Sequence, residues 1–168
     1  MKKRLAFFGL LALTACSSGD LQIETIDFTT ASVQYCGTLS TDTRVFFKLN
    51  KTDALIVQLA SGLLRNENSD GVIESNIPGG SQLTYRIFDG TVSSAYFCDA
   101  IPPSAPGVLE EVEAEAGVVR IETVQSTTDS TQFVHTISLQ GVSFVNSKGE
   151  RLTNLSVEDF GSVTTTAN

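Results

Sequence analysis

The chain has 168 residues, a formal charge of −8 at pH 7, three cysteines, one histidine and no tryptophan. So acidic a chain is repelled by nucleic acid and by anionic headgroups, which excludes nucleic acid as a partner. With 41% hydrophobic residues the chain can bury a core and is not a disordered polymer, and with one histidine it cannot build a multi-histidine metal centre.

The N-terminus reads "MKKRLAFFGLLALTAC". Lys2, Lys3 and Arg4 precede an apolar run over residues 5–13 that is broken only by Gly9. That run falls short of the roughly 20 residues a helix needs to span a bilayer and matches a secretory signal peptide. "LTAC", residues 13–16, resembles the bacterial lipobox. The resemblance implies a diacylglycerol on the Cys16 thiol and cleavage before it. The expected organisation is a signal peptide at 1–15, a lipidated polar tether at 16–20 and a single β domain at 21–168. Loss of Lys2, Lys3 and Arg4 leaves eight basic residues against 19 acidic ones, so lipid rather than protein charge holds the domain to the membrane. Two or more acyl chains hold stably where one does not. Ser17, in a place where aspartate favours inner-membrane retention, points to the outer membrane, on its periplasmic or surface side.

With Cys16 consumed, Cys36 and Cys98 remain in an oxidising compartment and are expected to form a disulfide. The loop of about 60 residues that they close corresponds to roughly 4 kcal/mol of chain entropy. No Cys-x-x-Cys spacing suggests a reactive pair.

Further along, alternation of period two dominates. Val45, Phe47 and Leu49 share one face, against Arg44, Phe46 and Lys48. Over residues 53–67, Ile56, Val57 and Gly62 favour a strand and turn over a short helix. Leu83, Tyr85 and Ile87 oppose Thr84, Arg86 and Phe88. Residues 92–101 predict one helical turn with Ser93 or Ser94 as N-cap, and "IPPSAPG" at 101–107 predicts a connector. Val112, Ala114 and Ala116 alternate with Glu111, Glu113 and Glu115, and Gly117 followed by "VVRIETVQ" predicts a hairpin. Phe133, His135, Ile137 and Leu139 share a face, with Gly141 suited to a bulge. These elements predict an all-β fold, an antiparallel β-sandwich stapled by one disulfide.

Little in the chain suggests chemistry. His135 lies in register with apolar neighbours and reads as a core histidine, not a base. Glu111, Glu113 and Glu115 line one strand face about 7 Å apart and do not oppose one another across a cleft as glycoside hydrolysis requires. Asn66, Asn68, Asp70 and Gly71 echo the first half of a calcium loop, but Asn66 stands at position one and Ile77 at position twelve, and a plain turn is the simpler reading. Asp129, Ser130 and Thr131 resemble the O-glycosylation sequon of Bacteroidota, with Ser130 as acceptor. No catalytic residue, metal or cofactor is assigned.

"YFCDAIPPSAPGVLEEVEAEAG", with "VQYCGTL" and "LLRNE", resembles uncharacterised envelope lipoproteins of flavobacteria and related Bacteroidota, which similarly pair an early cysteine with one before "IPP". The resemblance implies anchor, disulfide and compartment, and no activity. The expected role is a non-enzymatic module that binds an envelope protein or glycan. A structural accessory subunit of an outer-membrane complex is the alternative, and an acidic-site hydrolase is less favoured. Three tyrosines and no tryptophan offer few sugar-stacking platforms, which favours a protein partner.

Overall fold

The computed structural model describes residues 26–146, 149, 151–152 and 158–167. Residues 1–20, where a signal peptide, a lipid on Cys16 and a polar tether are expected, lie outside the described residues. The strands are β1 (Val45–Asn50), β2 (Asp53–Gln58), β3 (Ile73–Ile77), β4 (Gln82–Phe88), β5 (Val108–Gln125), β6 (Gln132–Val145), β7 (Arg151–Leu152) and β8 (Asp159–Thr166), with one short helix, α1 (Ala95–Cys98), between β4 and β5.

All strand pairs are antiparallel and belong to one hydrogen-bonded sheet, in the order β1-β2-β4-β5-β6-β7, with β3 also on β5 and β8 also on β6. β5 organises it. Its first half pairs with β4 and its second half with β3, while β6 follows it along the other edge. The hairpin expected at Gly117 does not form; β5 runs through that residue as one strand of 18 residues. A glycine is a turn signal and a bulge signal alike, and here the register shifts between Ala114 and Ala116 and again across Gly117, whose φ is +143°. A Cβ on Gly117 would sit 3.1 Å from the Val142 backbone, so the bend needs the bare backbone. Gly141 on β6, with φ +62°, supplies the bulge expected there. The ribbon bends at this place and the sheet curls.

The segment before β1 spans the gap that the curl leaves. Ile26 and Phe28 enter the core, and Gln34 bridges Phe47 on the outer edge of β1. On the other side Val33 Cγ2 lies 2.7 Å from where a Cβ of Gly161 on β8 would be. Lys48 reinforces the closure: its ammonium donates to the Phe28 carbonyl at 3.1 Å and sits 5.8 Å above the Phe160 ring. Burial lowers the pKa of Lys48, and the Asp159 carboxylate opposes that shift.

One core fills the inside of the curl, with Phe46, Leu55, Leu83, Tyr85, Ile121, Ile137, Phe144 and Phe160 among its members. A second, smaller cluster of Ala54, Phe88 and Val92 lies on the outer face of β1, β2 and β4 under α1. β1 is therefore buried on both faces: Phe46 looks into the main core, and Phe47 stacks on Phe97 of α1. Both Phe46 and Phe47 are fully buried. The strand at 53–58, the helical turn with Ser94 at its N-cap position and the Cys36–Cys98 disulfide are all present as expected.

Candidate functional site

β5, β6 and β8 bring Thr123, His135 and Thr165 into one buried line, each at most 2% exposed. The Thr123 hydroxyl lies 2.8 Å from His135 Nδ1, and the Thr165 hydroxyl lies 2.7 Å from Nε2. Thr165 donates its own proton to Asn66 Oδ1 at 2.6 Å, while Asn66 Nδ2 donates to the Thr166 carbonyl at 3.4 Å. Thr165 must then accept from Nε2–H, which leaves Nδ1 to accept from Thr123. Burial lowers the pKa of the ring and keeps it neutral. A ring sealed and bonded at both nitrogens cannot reach a substrate, as expected for a core histidine.

Residues 66–70 form a strap across the ends of β5 and β8. Asn68 Oδ1 accepts the Gln125 amide proton at 2.6 Å, and Ser69 exchanges backbone and hydroxyl bonds with Thr123, at 3.0 Å for both amide protons. The side-chain oxygens of Asn66 and Asn68 are thus directed at β8 and β5. Among the described residues no group of His, Cys, Asp and Glu is arranged to hold a metal. A cavity of about 390 Å³ lies beside the strap between Arg65, Asp70, Ile73 and Thr123.

Glu111, Glu113 and Glu115 all face solvent from β5. Glu111 pairs across the ladder with Arg86. Asp129 accepts both the amide and the hydroxyl of Thr131, at 2.9 and 2.7 Å, and those bonds lower its pKa. The turn this builds between β5 and β6 leaves Ser130 exposed.

The best candidate surface is the flap that α1 and its connector lay over the outer face of β1, β2 and β4. A helix of four residues cannot hold itself. Aromatic packing and a covalent bond hold this one. Phe97 stacks on Phe47 at 4.5 Å, Tyr96 meets Phe88 edge-on at 4.9 Å, and the Arg86 guanidinium lies 6.0 Å over the Phe97 ring. The disulfide ties Cys98 to Cys36, with Cα atoms 5.2 Å apart and both residues exposed. Between Cys36, Thr43, Arg44, Val45 and Phe97 opens a cleft of about 400 Å³. Of the seven exposed large apolar side chains among the described residues, Tyr35 and Val45 lie beside this cleft, and Ile101, Val108 and Leu109 lie on the connector and its entry into β5. Alternation within strands does not announce this surface, because the residues that build it come from a loop, an edge and a helical turn. Comparison with protein-family models, curated proteins and solved structures found no match.

Proposed function

We propose that the chain is an exported, lipid-anchored protein of the bacterial envelope that serves as a non-enzymatic binding module, with another envelope protein as its partner in preference to a glycan. The observation that carries this reading is the concentration, around the disulfide-held flap, of five of the seven exposed large apolar side chains among the described residues. Apolar surface left exposed to water is costly, and burial against a partner relieves that cost. The exposed Cys36–Cys98 bond supports an oxidising compartment, since reducing cytosol does not sustain such a bond. Membrane attachment is assigned to lipid on Cys16, with the outer membrane as destination. The two halves of the curled sheet, on either side of one core, are read as the facing layers of a β-sandwich.

Two measurements test the reading. Cys16→Ser should abolish labelling by radioactive palmitate and release the protein from membranes. The wild-type chain should retain a stoichiometric protein partner when recovered from cross-linked native membranes. Membrane retention of the Cys16→Ser protein refutes the anchor, and recovery without a partner refutes the binding role.

A further inference from the structure

We propose that residues 99–106 form a preorganised apolar ridge that inserts into an apolar groove with a basic rim on a partner protein. The inference rests on the binding-module reading and names its contact element. Both ends of the ridge are clamped. Cys98 is held by the disulfide, while at Gly107 the Asp89 amide donates to the Gly107 carbonyl at 3.0 Å and the Gly107 amide donates to Asp89 Oδ1 at 2.8 Å. Between the clamps, Pro102, Pro103 and Pro106 each fix a backbone φ. Ile101 is 86% exposed, the residues from 99 to 105 are all exposed, and Leu109, just past the second clamp, is 68% exposed.

A proline-rich, apolar segment with little freedom left to lose is the form that aromatic-lined protein grooves take up, because ordering it costs little on binding. Charge selects the rim. Asp99 at its start and Asp89 beside it are exposed, and Glu110 follows it in a chain of net charge −8. The same acids disfavour insertion into an anionic bilayer.

The test uses the full chain in the envelope of its native host, with a photo-reactive phenylalanine analogue at Ile101, at Leu109 or at Thr127 on the far β5–β6 turn. One and the same protein adduct should form from Ile101 and Leu109, none should form from Thr127, and high salt should weaken it. Purified wild-type chain should suppress the adduct, and the Ile101→Asp chain should need at least about tenfold more. The exposure of Ile101 lets that variant fold, which an intact disulfide and an unchanged circular dichroism spectrum verify. An adduct with lipid only, equal competition by Ile101→Asp, or a protein adduct from Thr127 alone overturns the ridge; the last leaves the binding-module reading standing. No adduct from any position, together with no partner recovered with the wild-type chain, overturns both.

Discussion

His135 Nε2 and the Thr165 hydroxyl lie 2.7 Å apart, and because Thr165 spends its proton on Asn66 the imidazole must donate to it. One residue pair thus fixes the tautomer of the histidine and the position of the strap. The four-member chain from Thr123 to Asn66 runs in one direction, and each donor in it has one acceptor. Such a chain satisfies every buried polar atom along the line, which is the condition for keeping a histidine in a β core at all.

Acid should undo this arrangement. Burial lowers the pKa of His135 in the folded protein, whereas in the unfolded chain it returns to about 6.5. Between those two values the unfolded state binds more protons, so stability falls as pH drops below about 6.5 and levels off under the folded value. The contribution is fully present above about 6.5. Urea unfolding from pH 7.5 to 5, compared with His135→Gln, isolates it: the stability gap between the two proteins should narrow with acidity. A constant gap contradicts the prediction.

Thr165→Val keeps the shape of the side chain and removes both bonds of its hydroxyl. His135 Nε2–H and Asn66 Oδ1 are then left without their partner, at a cost of about 1–3 kcal/mol. Hydrogen exchange adds a local readout. The Ser69 amide, which donates to the Thr123 carbonyl at 3.0 Å, should lose more protection than the central amides of β2. Uniform loss across the sheet would mean that Thr165 does not position the strap.

The alternation around His135 was legible because a strand with one face in the core writes that fact as period two. The Cys36–Cys98 pair was legible from cysteine arithmetic, and the strand at 53–58 from its β-branched residues. Phe46 and Phe47 lie beyond what alternation can show. Adjacent residues buried on opposite faces break alternation, and the cause is a flap contributed by residues some fifty positions away. The bend at Gly117 is not written in the local sequence, which does not say whether a positive φ turns the chain back or only bends it. The strap was hidden for a similar reason: asparagine and serine look the same whether they face water or bond to the strands beneath them.

Loss of the disulfide should loosen the flap before the sheet. Cys36 and Cys98 are 62 positions apart, and replacing both by alanine should cost about 2–4 kcal/mol in denaturant unfolding. The amides of Phe97 and Cys98, which donate to the carbonyl of Ser94 at the N-cap of α1, should exchange faster than those of β5 even under native conditions. Since Phe97 keeps its stack on Phe47, the aromatic contact persists with a looser tether. An unfolding midpoint equal to that of the wild type would refute the structural role of the bridge.

The closure between Val33 and Gly161 makes the sharpest demand on sequence. Gly161 has φ +118°, and a Cβ there would come within 2.7 Å of Val33 Cγ2. Gly161→Ala therefore meets two penalties, a left-handed backbone and a steric overlap, together about 2–4 kcal/mol. Val33→Ala in the same chain relieves the overlap and leaves the backbone strain. The double variant should then be less destabilised than the sum of the single ones, with a coupling of about 1 kcal/mol in a double-mutant cycle. Strict additivity would mean that residues 26–34 do not pack on β8 in solution. Coupling would show that residues 26–34 hold the curled sheet closed, so that Phe28 stays in the core and Lys48 keeps its acceptor.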